Sequence, residues 1–233
     1  CKAAEKYARE VLAEKIPANK WIKLACQKHL DELKECKLFY FDSDAAEKVC
    51  KFVELMPHTK GKWARDGEKL IMEPWQCFCV ANIFGWMRKK DKLRRYRRSL
   101  LWVPRKNGKS ALASAIGNYM FAADREFGAE VYCGATSEKQ AWEVFRPSKL
   151  MVSKTAEFKN YYDIEVNASN MNIPGDGSRF EPMIGNPPDG SSPHLAILDE
   201  LHEHQDDRML NTMETGMGAR EQPMMLMITT AGD

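Results

Sequence analysis

Leu100-Leu101-Trp102-Val103-Pro104-Arg105-Lys106-Asn107-Gly108-Lys109-Ser110 decides how the chain is read, with apolar residues following at Leu112, Ala115, Ile116, Tyr119 and Met120. An apolar strand, a short polar loop, Gly-Lys-Ser and a helix are, in that order, the parts of a phosphate-binding loop. Backbone N–H groups of such a loop and of the helix start surround phosphate oxygens, and the helix dipole favours the anion. Lys109 is placed to reach the β- and γ-phosphates, and the Ser110 hydroxyl is a hard oxygen ligand for Mg²⁺. Only the second half of G-x-x-x-x-G-K-[ST] is present, with Val103 where the first glycine belongs. On these residues alone a basic turn between strand and helix stays open.

A second stretch, Leu195-Ala196-Ile197-Leu198-Asp199-Glu200, bears on that choice. Four apolar residues ending in two carboxylates read as a buried central strand that delivers Asp199 and Glu200 to the crevice where open α/β sheets bind ligands. An Asp in this place holds Mg²⁺ through its coordination shell, and a following Glu polarises the attacking water. Paired with Gly108-Lys109-Ser110, the two stretches predict nucleotide binding.

The rest of the composition sets the frame. A chain of 233 residues with 44% hydrophobic content can bury a proper core. Seven cysteines, an odd number with no C-x-x-C pair, argue against a disulfide framework and for a reducing compartment. Cys77 and Cys79 read as small buried residues. No signal peptide and no long apolar run appears, so a soluble intracellular protein with no membrane partner is expected. The start at Cys1 and the stop at Asp233, just after an apolar strand, read as a fragment. The net charge of +2 puts any nucleic-acid footprint in a local cluster, and Arg88 to Arg98 is the candidate. Both a solvated connector and a phosphate-backbone contact fit that cluster.

Helical periodicity predicts helices over 2–14, 20–34 and 43–56, the last capped by Asp42 or Ser43. These form an α-helical N-terminal segment, 1–57, ahead of a domain over 58–233. Residues 58–73 read as loop with a short strand at Leu70-Ile71-Met72. Pro74 opens a helix apolar nearly all round, in which Gln76 stands out: a buried amide needs partners, and either backbone or a purine edge supplies them. A strand follows at 129–134, and Ser137-Glu138-Lys139-Gln140 is a capping box opening a helix to Leu150. From Tyr161 to Pro193 turn residues accumulate, predicting hairpins at Ile164-Glu165-Val166 and Arg179-Phe180-Glu181 and a surface turn at Asn186 to Gly190. His202-Glu203-His204 lacks metal-ligand spacing and reads as structural or surface. A Met-rich helix over 206–218 leads to Met224 to Gly232, a buried strand ending in hydroxyls.

In this order the parts resemble the large terminase subunit of tailed bacteriophages. The carriers are Glu73-Pro74-Trp75-Gln76, Phe84-Gly85-Trp86, Val103 to Ser110, Gly134-Ala135-Thr136 with Gln140-Ala141, Leu198-Asp199-Glu200-Leu201-His202, and Ile228-Thr229-Thr230-Ala231-Gly232. They run along nearly all of the chain, and lack of the first loop glycine is a trait of that family. The resemblance implies an α/β, additional-strand P-loop NTPase with a mainly parallel central sheet flanked by helices, the Thr229-Thr230 strand lying between the loop strand and the Asp199 strand. It implies ATP and Mg²⁺ as cofactors. Gln76 would recognise adenine, and Arg105, Lys106, Asn107, Gly108, Lys109 and Ser110 would hold the phosphates. Ser110 and Asp199 would bind Mg²⁺, Glu200 would activate water, and Thr229 and Thr230 would couple hydrolysis to movement. Arg105 matches the family's loop arginine, which stabilises the transition state within its own subunit or yields that role to a neighbour's arginine. Implied partners are double-stranded DNA, the portal protein, the small terminase subunit and further copies in a ring, in the host cytoplasm. Family members carry a nuclease domain after the ATPase domain, so no nuclease activity is expected from this chain. Two rivals are a helicase, since Asp199-Glu200-Leu201-His202 spells D-E-x-H, and a non-catalytic P-loop module for DNA binding or assembly.

Overall fold

The computed structural model describes residues 2–135, 137–184, 190–203 and 206–230. The backbone divides into two compact units, one of Cys1–Glu54 with Ile71–Tyr96, the other of Leu55–Leu70 with Arg97–Asp233. This partition differs from the expected division into 1–57 and 58–233, because the helix that Pro74 opens packs with the N-terminal helices.

The first unit contains α1 (Lys2–Leu12), α2 (Lys20–Lys34), β1 (Phe39–Phe41) and most of α3 (Ser43–Leu55). The chain passes through α4 (Gly61–Arg65) in the second unit and returns as α5 (Pro74–Gly85) and β2 (Trp86–Arg88). The side chain of Asn19 caps α2 by accepting from the Trp21 and Ile22 N–H groups at 3.0 Å each. Asp42 caps α3 in the same way, through Asp44 and Ala45, which satisfies helix-start donors that otherwise lack partners. Ala4, Tyr7, Ala8 and Val11 of α1 pack on Cys26, Ala46, Phe78 and Ala81 to make this unit's core. Gly85 has a steric reason: a Cβ there would meet the Phe41 ring at 2.6 Å and the Ala46 Cβ at 2.9 Å.

The basic stretch after β2 is largely consumed by the fold. Arg95 donates twice to Glu32, at 2.7 and 3.1 Å, and lies over the Phe39 ring. Arg94 is buried over Phe84, and Arg88 pairs with Asp91. These contacts give the connector its shape and leave Lys89, Lys90, Lys92, Arg97 and Arg98 exposed. The strand expected at Leu70 to Met72 does not form; that backbone makes a single bridge, Pro57 to Lys69, and a bond from Leu70 N–H to the Met56 carbonyl at 2.8 Å.

The second unit is a sheet with helices on both faces. Its elements are β3 (Arg98–Trp102), α6 (Lys109–Asn118), β4 (Glu130–Ala135), α7 (Glu138–Lys154), α8 (Ala156–Tyr161), β5 (Glu165–Val166), β6 (Met171–Ile173), β7 (Ser178–Ile184), β8 (Leu195–Asp199), α9 (Arg208–Gly216) and β9 (Met224–Thr229). The strand order is β3-β9-β8-β4-β7-β6-β5. The first five are mutually parallel, and β6 and β5 extend the sheet antiparallel. Strand β9 thus stands between β3 and β8, as the resemblance implies. The two predicted hairpin segments are β5, paired with β6, and the middle of β7, which also lies parallel to β4. The predicted turn at Asn186 to Asp189 lies outside the described residues.

Coverage on both faces explains why Leu195 to Leu198 is uninterrupted apolar sequence with no exposed surface. On one face α6 comes so close that a Cβ on Gly117 would meet Phe180 at 2.8 Å and Ile197 at 3.2 Å. On the other, Met209, Met213 and Met217 pack on Tyr132, Ala196, Leu198 and Met225. The Met-rich helix is therefore core, each buried side chain worth about 1.5–3 kcal/mol. α6 passes into a π-helical turn at Tyr119–Ala123.

Candidate functional site

The turn from β3 to α6 is built on unusual backbone angles. Lys106 has φ 66° and Gly108, the residue capping α6, has φ 74°. Glycine adopts that region without cost, whereas a residue with a Cβ loses roughly 1–2 kcal/mol there. Asn107 closes the turn by donating its amide to the Pro104 carbonyl at 3.1 Å and the Arg105 carbonyl at 3.2 Å. Alternation of right- and left-handed residues ahead of a helix start turns successive N–H groups toward one point, a concavity suited to an anion. Arg105, Lys106, Asn107 and Gly108 are exposed around it, Ser110 is half-buried and Lys109 is buried.

The Lys109 ammonium pairs with Glu200 Oε1. Glu200 sits just past β8 with φ 46°, a left-handed conformation for a non-glycine residue, which aims its carboxylate back at α6. Its other oxygen, Oε2, accepts from the Thr230 N–H at 3.2 Å and the Thr230 hydroxyl at 3.1 Å. Burial alone would push the Glu200 carboxyl up, but Lys109 and Thr230 outweigh it and hold the group below its ordinary range. Asp199 behaves oppositely. Its burial pushes the carboxyl up to about 6, the charges of Glu200 and Glu143 add to the rise, and Lys109 only partly offsets it. Its Oδ1 accepts from the Glu200 N–H at 2.9 Å.

Strand β9 ties these parts together. Trp102 of β3 lies opposite Thr229, and Ile228 lies opposite Asp199. The Val103 N–H donates to the Thr229 carbonyl at 3.2 Å. His202, in a 3-10 turn over Leu201–Glu203, places Nδ1 2.7 Å from Thr229 Oγ1 and 3.5 Å from Glu200 Oε2. Gln140, near the start of α7, reaches Glu203.

The structure therefore brings Lys109, Glu200, Thr229 and Thr230 into one contact network, with Asp199 beside it and Ser110 in the first turn of α6. Gln76 belongs to the other unit, where it is the third residue of α5 in a capping box: its Oε1 accepts from the Glu73 N–H at 2.9 Å. The pairing of His202 with Thr229 escaped the sequence reading, whose only signal there was a His-Glu-His run; His204, like Thr136 and Ala231-Gly232, lies outside the described residues. Among the described residues no group of three His, Cys, Asp or Glu could hold a metal ion. No helix of the described residues is long and apolar enough to cross a membrane.

A parallel sheet in which an added strand, ending in Thr229, separates the loop-bearing strand from the strand ending in Asp199 defines a P-loop nucleoside triphosphatase fold of the additional-strand type. A sequence model of the terminase large subunit ATPase domain matches residues 74–233, and the chain belongs to that family. It is 26% identical over 195 residues to the terminase large subunit of Enterobacteria phage HK97, a match covering 79% of this chain and 36% of that protein. Over 44 residues it is 66% identical to protein YmfN of Escherichia coli K12, covering 19% of this chain and 10% of that one. The crystal structure of the HK97 large terminase superposes with a TM-score of 0.64 at 23% identity, covering 79% of this chain and 37% of that one. The chain thus spans little more than a third of the HK97 relative.

Proposed function

We propose that this chain supplies the ATP-hydrolysing part of a motor that drives double-stranded DNA into a prohead. The contact network of Lys109, Glu200 and Thr230, made from the ends of two strands and one helix start, carries the reading. The β3–α6 turn receives the triphosphate, with Lys109 against the β- and γ-phosphates. Ser110 and Asp199 are fitting donors for Mg²⁺: one is a hydroxyl in the first turn of α6, the other a buried carboxylate that its burial pushes up to about 6. Two protein donors suffice, because Mg²⁺ in such sites keeps several waters and takes other oxygens from the phosphates. When bound, the ion neutralises charge on the transferring group.

Glu200 orients and deprotonates the attacking water once nucleotide draws Lys109 away from it. Thr229 and Thr230 then report the change at Glu200 along β9. Arg105, at the mouth of the loop, offers a planar fork to the γ-phosphate. The motor acts as a ring of copies on the portal protein, with the small terminase subunit, in the host cytoplasm.

The test is DNA-stimulated ATP hydrolysis by the assembled motor carrying Glu200→Gln, Arg105→Ala or a mixture of the two. Loss of a catalytic base costs about 10²–10⁴ in rate and loss of an arginine finger about 10³–10⁵, so each variant alone should fall to background. The mixture should stay there if Arg105 serves its own subunit. Recovery in the mixture assigns the arginine to a neighbour, and hydrolysis retained by Glu200→Gln contradicts the function itself.

We further assign the adenine edge to Gln76, whose amide would leave the Glu73 N–H to pair with the base. Gln76→Ala should then narrow the preference for ATP over GTP, by about 1–3 kcal/mol as in comparable base contacts. Unchanged selectivity would leave Gln76 as a capping residue only.

A further inference from the structure

His202 has no role in the site as described, yet it touches both halves of it. We infer that His202 is a positioning residue for ATP hydrolysis, fixing Thr229, and through it the end of β9, against the water-activating Glu200.

Its Nδ1 stands 2.7 Å from Thr229 Oγ1 and 3.5 Å from Glu200 Oε2. A carboxylate is an acceptor only, so a proton on Nδ1 serves both neighbours. The Thr229 hydroxyl is then free to turn its own hydrogen to the Thr230 carbonyl, 3.3 Å away. That carbonyl belongs to the residue whose N–H and hydroxyl hold Glu200 Oε2. The Thr229 carbonyl in turn accepts from the Val103 N–H at the base of the phosphate-binding loop. One imidazole thus closes a chain of hydrogen bonds from the loop, through β9, to Glu200.

The 3-10 turn that carries His202 starts directly after Glu200, so imidazole and carboxylate move as one piece. Removing the ring leaves Glu200 held to β9 by Thr230 alone and frees the Thr229 hydroxyl, which slows turnover and leaves nucleotide binding to the loop and Lys109 intact.

The inference rests on the ATPase reading, and the test separates the two. ATP turnover and ATP affinity are measured for the assembled motor with the natural chain, His202→Ala, His202→Asn, Thr229→Val and the double variant His202→Ala with Thr229→Val. His202→Ala should lower kcat about tenfold, the effect of one hydrogen bond in the transition state, with KM within about twofold. Thr229→Val should match it, and the double variant should lose no more than either alone, since residues in one network are not additive. His202→Asn, whose amide can donate from the same place, should recover most of the rate. A His202→Ala motor as fast as the natural one overturns the inference, as do losses that multiply in the double variant. So does a drop in melting temperature equal in the Ala and Asn variants without a change in kcat. A natural chain that never turns over ATP would instead bring down the ATPase reading, and this inference with it.

Discussion

The two ends of the parallel sheet in the second unit both bury charge, and they do so in opposite ways. At the end where β4, β7, β8 and β9 begin, Arg220 and Glu130 each gather several partners. Arg220 donates to the Ser192 carbonyl at 2.9 Å, to Glu126 at 2.9 Å and to the Gly128 carbonyl at 2.7 Å. Glu130 accepts from Tyr132 at 2.7 Å and from the Ser192 N–H at 2.9 Å, and pairs with Arg179 at 3.1 Å. The buried His194 ring meets the buried Asp124 carboxylate at 2.7 Å. Burial alone would raise the Glu130 carboxyl, but these partners hold it below its ordinary range.

At the end where β3, β8 and β9 stop, the balance at a buried carboxylate runs the other way. Asp199 is a carboxylate that its surroundings push toward the neutral form, next to Glu200, a non-glycine residue with φ 46°. A carboxylate that its partners hold ionised, such as Glu130, serves as structure. One pushed toward the neutral form, such as Asp199, is a perturbed group of the kind that gathers at functional sites.

Two variants sharpen the contrast. Arg220→Ala takes this donor from Glu126 and from the Ser192, Phe127 and Gly128 carbonyls, and leaving a partly buried acceptor unsatisfied costs about 1–3 kcal/mol. It should lower the denaturant midpoint while nucleotide affinity, measured where the variant is still folded, stays unchanged. A stable Arg220→Ala protein with lost affinity would reverse the assignment of the two ends.

Asp199→Asn should do the opposite. The folded protein raises this carboxyl from its ordinary 3.8 to about 6, so its contribution to stability is full below about pH 4 and is lost as pH rises through about 6. At about 1.4 kcal/mol for each pH unit, the neutral amide should stabilise the nucleotide-free protein by up to about 3 kcal/mol at pH 8, and by little at pH 4. Denaturant titrations at the two pH values check it; equal effects at both would mean that the Asp199 charge is already balanced.

Legibility from sequence followed how local each signal is. Gly108-Lys109-Ser110 and Leu195 to Glu200 are contiguous patterns whose backbone and burial demands are met within a few residues, so strand, turn and helix could all be placed. The position of β9 came with the family resemblance, because strand order is a pairing across more than a hundred residues that no single window contains. The β1–β2 pair was invisible for the same reason, as Phe39 to Phe41 is bounded by no turn signal that points to Trp86. Leu70-Ile71-Met72 was misread because apolar residues suggest a strand, whereas only Leu70 and Met72 are buried and the backbone has no partner strand among the described residues. The basic run from Arg88 to Arg98 reads two ways because the partners of Arg94 and Arg95, namely Phe84, Glu32 and Phe39, are distant in sequence. His202 could not be tied to Thr229 because the two are 27 residues apart.

The central claim is that Lys109 binds the phosphates whereas Glu200 acts on water, although the two are joined in the nucleotide-free protein. Equilibrium binding of ATP with Mg²⁺ to the natural chain, Lys109→Ala and Glu200→Gln separates them most directly. Lys109→Ala should lose binding, because the charge facing the β- and γ-phosphates is gone. Glu200→Gln should bind ATP at least as tightly as the natural chain, because its carboxylate no longer competes for the lysine, and should leave the bound ATP intact. Equal loss of affinity in both variants would contradict this division of roles.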